Sequence, residues 1–185
     1  MRRNPMARDS MPRNFMARCL LWLCACFVAC AGLPVAIADT GDHDVSGDEA
    51  FLTSATQAEL AEIELSRIAA RSADSPEIRS FAAKMVQEHT ASNAELAQIA
   101  LKENIPLPIA PDSDHMQLRD KLIALRGTNF DRMYLETMRT DHQNLVDFLT
   151  AASHTVTTDD LHNFIKKTLP VVQHHLRMAQ ELKAG

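Results

Sequence analysis

Four stretches of this chain repeat apolar residues at α-helical spacing, and each interrupts its apolar stripe with an ionisable side chain: Glu62, His89, His142 (with Asp141 beside it) and His175. At about 100° per residue, Phe51, Ala55, Ala58, Glu62, Leu65 and Ala69 fall within roughly 80° of one another on one helix side. The same projection groups Ile78, Ala82, Met85, His89, Leu96 and Ala100, and later Leu161, Ile165, Val172, His175, Leu176 and Ala179. Glu62, His89 and His175 therefore point inward. In the remaining stretch the apolar face (Phe130, Tyr134, Met138, Leu145, Leu149) is centred between Asp141 and His142, so one of the two points inward. Polar groups at core positions need partners, so four helices carrying them predict a shared polar centre.

No stretch shows sustained β alternation, and five glycines in 185 residues are few, so the expected class is all-α, a helical bundle. The first helix is expected over residues 48–72. Ser75 and Pro76 supply an N-cap and a first-turn proline for a second helix that runs to about residue 103, packed as a hairpin on the first. Pro106, Pro108 and Pro111 then break the chain, and a small amphipathic piece with Leu118, Leu122 and Leu125 leads to Gly127. Thr128 and Asp131 resemble a capping box for a third helix to about residue 153, and Thr157 or Thr158 caps a fourth to about residue 182. The long connection between helices two and three suits a crossover of the ferritin-like kind, up, down, across, down and up, although a simple up-down bundle fits nearly as well. Counted from one bundle end, Glu62, His89, His142 and His175 then lie within roughly 10 Å of a common depth at 1.5 Å rise per residue.

The amino-terminal segment reads as a leader. Five arginines precede the apolar run Leu20 to Ala29, and Ala36-Ile37-Ala38 offers a small-residue cleavage site, which predicts removal of residues 1–38 and a mature start at Asp39. Gly32 and Pro34 interrupt the run before it reaches the ~20 residues a membrane span needs. Phe27-Val28-Ala29-Cys30 loosely resembles a lipoprotein site, with lipidation at Cys30 as the alternative. Residues 39–47 read as an acidic, disordered lead-in, and residues 48–183 as the bundle domain. All four cysteines lie in the leader, so the mature domain stands on packing without disulfides. Removing the leader takes five arginines and Asp9 away from 19 basic and 24 acidic residues, which leaves a net charge of −9. That surface disfavours nucleic acid and anionic membrane as partners; the leader predicts export to the periplasm or cell envelope, where association with the envelope is one option.

Imidazole and carboxylate groups converging in a bundle core are ligands for one zinc, iron, manganese or copper ion. The competing reading is a non-catalytic structural or partner-binding module in which Glu62 hydrogen-bonds buried histidines and so fixes helix register. A di-iron carboxylate centre needs Glu-x-x-His on two helices; Val86 and Val172 stand at those positions, and Glu88 projects about 100° from His89, so that centre and iron storage are disfavoured. His43, His115, His154, His162 and His174 are expected in solvent, and Met85 and Met138 as core filler. Pro170 is expected to kink the fourth helix. No Gly-rich phosphate loop or nucleophile elbow is present.

Taken together, Ala58 to Leu65 (AELAEIEL), Phe81 to His89 (FAAKMVQEH), Gly127 to Tyr134 (GTNFDRMY), Asp141-His142 and Leu169-Pro170 followed by His174-His175-Leu176 resemble the bacterial "domain of unknown function 4142" family. These are exported, ferritin-like helical proteins, some carrying an outer-membrane label. The resemblance covers residues 49–182 and implies a ferritin-like helical fold and export, with no established activity. It also implies that the family's recurrent histidines fall on His89, His142 and His175 and its first-helix glutamate on Glu62. At Gln87 the chain departs from the acidic residues associated with that stretch.

Overall fold

The apolar stripes do form helices. The structure, a computed structural model, describes residues 45–185, all-α with five helices and no strand among the described residues: α1 (Val45–Ser72), α2 (Pro76–Glu103), α3 (Ser113–Ile123), α4 (Gly127–Ala152) and α5 (Asp159–Glu181). The predicted leader, its cleavage site, Cys30 and His43 lie outside the described residues. No helix among the described residues is long and apolar enough to cross a membrane.

Two buried aspartates set the direction of the helices. Asp48, near the start of α1, accepts hydrogen bonds from the Thr157 amide (2.9 Å), the Thr157 hydroxyl (2.9 Å) and the Thr158 amide (3.2 Å), which places that end of α1 against the α4–α5 turn. Asp131, in the first turns of α4, accepts from the Asp74 and Ser75 amides, both at 2.9 Å, which places the start of α4 against the α1–α2 turn. Hence α1 and α5 run one way, α2 and α4 the other, and residues 104–126 carry the chain back along the length of the helices. Helix α3 lies in this crossover, against α1 and α4.

The local signals explain most boundaries. Ser75 caps α2 by accepting from the Ile78 amide, Pro76 occupies the first turn, and Asn104 ends the helix in the left-handed region (φ 56°), one of the few conformations that asparagine tolerates better than most residues. Asp112 caps α3 through the Asp114 and His115 amides. Gly127, at φ 58°, turns the chain from α3 into α4, where a side chain would be strained. Three expectations are corrected. Helix α1 starts at Val45, three residues ahead of the expected Asp48, and the Asp48 carboxylate is engaged across the molecule. No capping box forms at Thr128: α4 has no side-chain cap, and Asp131 serves the α1–α2 turn instead. Thr158 does occupy the N-cap position of α5, but its hydroxyl accepts no capping hydrogen bond, while Thr157 is held by Asp48. Helix α5 continues through Pro170.

Replacing Asp131 by Ala strands two amides in a part-buried turn. The expected loss is about 1–3 kcal/mol, read as a lower denaturant midpoint at unchanged slope; an unshifted midpoint would show that the turn needs no such anchor.

The core is divided. One apolar cluster, with Phe51, Leu52, Leu96, Leu149, Leu161 and Phe164, fills the Asp48 end, and a second, with Leu65, Ile78, Phe81, Phe130, Tyr134 and Met138, fills the Asp131 end. In chain order, Glu59 and Glu62 on α1, His89 on α2, His142 on α4 and His175 on α5 each fall between the two clusters. The polar side chains therefore form a layer across mid-height, sealed above and below by apolar packing.

Candidate metal centre

Each of the four long helices turns one of these groups inward, and none is more than 3 % exposed: Glu62 3 %, His89 2 %, His142 0 % and His175 1 %. The three imidazole rings form a near-equilateral triangle, with centroids 5.5 Å (His89–His142), 5.4 Å (His89–His175) and 5.4 Å (His142–His175) apart. One nitrogen from each ring converges, and these three atoms lie within 4.8 Å of one another.

The other nitrogen of each ring is held from outside. The His142 Nδ1–H donates to the Met138 carbonyl at 2.8 Å; a carbonyl can only accept, so Nδ1 carries the proton and Nε2 keeps its lone pair. His89 Nδ1 pairs with Glu59 Oε2 at 2.6 Å, and Glu59 is fixed in turn by the Ser92 hydroxyl at 2.6 Å. His175 Nε2 pairs with Glu88, which Lys84 also holds. The inner nitrogens, His89 Nε2, His142 Nε2 and His175 Nδ1, have no hydrogen-bond partner among the described residues. Outer partners that set ring orientation and leave an inner lone pair free are the usual second support of metal-binding histidines.

Glu62 stands beside this triangle. Its Oε1 is 3.6 Å from His142 Nδ1, and its buried Oε2 has no hydrogen-bond partner among the described residues. Burial pushes the Glu62 carboxyl up to about 8, against the attraction of His89. Burial, with repulsion from His89 and His175, pulls His142 down to about 3. His175 falls to about 4 through burial, partly opposed by its bond to Glu88. Burial also acts on His89, but the Glu59 hydrogen bond and charge outweigh it and hold that ring above the ordinary histidine value. His142 and His175 are thus neutral, the protonation state a metal ion requires.

The ambiguity between Asp141 and His142 is resolved in favour of His142. Asp141 turns towards α3, where its Oδ2 lies 3.6 Å from His115 Nε2, and His115 Nδ1 pairs with Asp112 at 2.5 Å. His115, expected in solvent, is half-buried between these carboxylates, and Asp141, with Asp112 behind it, raises its imidazole to about 9. His154, His162 and His174 are exposed as expected. Sequence reasoning missed Glu59 and Glu88. Glu59 is three residues before Glu62 and so shares its face, a signal that was available. Glu88 projects away from the His89 face, and that same projection delivers it to His175 on the neighbouring helix.

No curated protein and no solved structure matches the chain at a significant level. A family model does, over residues 35–182, and with that match spanning most of its length the chain belongs to the family described as a domain of unknown function (DUF4142).

Proposed function

We propose that this protein is an exported helical bundle of ferritin-like architecture that binds one transition-metal ion at His89, His142 and His175, with Glu62 as the adjoining carboxylate. The observation that carries the reading is the convergence of three buried imidazole rings whose inner nitrogens have no hydrogen-bond partner among the described residues. Three unpaired polar nitrogens facing one another in a buried core are costly, and an ion of charge +2, binding the neutral rings, removes that cost at all three simultaneously. If the histidines served packing alone, their inner nitrogens should bond to each other or to Glu62; Glu62 is instead closest to the already satisfied Nδ1 of His142. Imidazole ligation suits zinc, copper and iron, with manganese the harder alternative. Nitrogens on a tetrahedral ion stand about 3.3 Å apart, given bonds of about 2.0–2.1 Å, so the rings need draw together only modestly from their present separation. The ferritin-like reading is supported by two antiparallel hairpins, α1–α2 and α4–α5, joined by a long crossover.

Cobalt(II) titration of the purified, chelator-treated protein should saturate at one equivalent with the absorption of a nitrogen-ligated ion. No stoichiometric uptake of cobalt, zinc, copper, iron or manganese would leave the packing module as the reading. Export rests on the leader: intact mass of the protein recovered from its native cell should correspond to a start at Asp39. A retained leader, or a lipid on Cys30, would overturn that start.

A further inference from the structure

Beside the polar layer, α1, α3 and α4 line a cavity of about 190 Å³ that opens to the surface at exposed Ser54 and Asn144. Its walls are mainly apolar, with Ala58 from α1 and Leu145 and Phe148 from α4; His115 on α3 and Asp141 on α4 also line it. Glu62 lines it as well, and the Glu62 carboxyl is the same buried group whose Oε2 has no partner and whose Oε1 is 3.6 Å from His142. Glu62 is thus shared by the cavity and the histidine triangle.

The volume and the chemistry of the lining limit what fits. An apolar cavity of about 150 Å³ already admits a benzene-sized molecule, so this one accommodates a single aromatic ring. The apolar walls favour an uncharged body, and the charges of His115 and Asp141 offset each other. Two buried carboxyl oxygens of this lining have no hydrogen-bond partner among the described residues: Asp141 Oδ2, which has the His115 ring 3.6 Å away, and Glu62 Oε2, which is the group left for a ligand. A hydroxyl both donates and accepts, so it satisfies Glu62 whether or not that carboxyl holds a proton. We propose that this cavity is the ligand pocket of the histidine centre, and that it takes a small hydroxylic molecule with an apolar body, of about the size of phenol, hydrogen-bonded to Glu62. The link to the centre rests on the metal reading given above; the cavity and its carboxyl do not.

Phenol itself is the probe. Titrated into the purified, metal-free protein and followed by NMR, it should bind saturably at one equivalent and shift the His142 ring signals while leaving those of exposed His154 in place. Ser54→Trp, an exposed change at the lining of the cavity, should weaken phenol at least tenfold without altering the circular dichroism. Glu62→Leu should also weaken it at least tenfold, whereas Glu62→Gln, which still donates and accepts, should retain most of the affinity. Absence of saturation, or equal affinity in Ser54→Trp and wild type, would overturn the pocket. Cobalt stoichiometry on the same preparations separates the two readings. Cobalt uptake without phenol binding overturns the pocket alone; phenol binding without uptake of any metal overturns the link between the pocket and a metal centre.

Discussion

Replacing His89, His142 or His175 by Ala should abolish stoichiometric metal binding, while His174→Ala should leave one equivalent bound. The contrast uses adjacent residues on one helix. His175 is 1 % exposed with its Nδ1 among the converging nitrogens, whereas His174 projects about 100° away and is exposed. With two of three imidazoles left, the site lacks the donor set for a tight tetrahedral ion, so affinity should fall by several orders of magnitude. Glu59→Ala belongs to the same series with a smaller effect: His89 keeps its inner nitrogen but loses the carboxylate that orients the ring, and affinity should fall about 10–100-fold. Equal metal content in wild type, His89→Ala and His174→Ala would eliminate the centre. If the histidines only pack, His89→Ala should still cost about 1–3 kcal/mol by stranding Glu59, with no metal dependence in either protein.

Without metal, the protein should be most stable near pH 6.5 and lose stability on both sides. His142 and His175 titrate at about 3 and about 4 in the folded protein and at about 6.5 in an unfolded chain. Between those values the unfolded chain binds more protons, so their contribution is present above about pH 6.5 and is lost as pH falls. Glu62 has the opposite sign. Its folded value of about 8 exceeds the unfolded carboxyl value of about 4.3, so its contribution is present below that value and is lost as pH rises towards 8. Where the windows overlap, two histidines oppose one glutamate and stability still rises with pH, at most about 1.4 kcal/mol per unit for one net proton. Above about pH 6.5 only the falling contributions remain, from Glu62 and from the raised His89 and His115. Melting temperature against pH reads the profile, and Glu62→Gln should soften the alkaline fall while keeping the acid one. A flat profile from pH 4.5 to 8, or a maximum below pH 4.5, would contradict the buried charge arrangement.

The all-α class, the α1–α2 hairpin and its Ser75–Pro76 start, and the inward facing of Glu62, His89 and His175 were determined by the sequence alone, because helical phase and capping depend on residues within a turn or two of one another. What lay beyond that reach was decided by tertiary structure. Asp141 and His142 straddle the centre of one apolar face, and only the arrival of α3, whose His115 draws Asp141 outward, turns His142 in. Asp131 sits at capping-box spacing, yet the amides of a turn from another hairpin offer it two hydrogen bonds in place of one local cap. Glu88 looks solvent-facing on its own helix and becomes the anchor of His175 only when α5 packs beside α2. The free inner nitrogens follow from those partnerships. Which nitrogen of a histidine is occupied depends on what its neighbours donate and accept, and for His89 and His175 those neighbours lie 30 and 87 residues away in the chain.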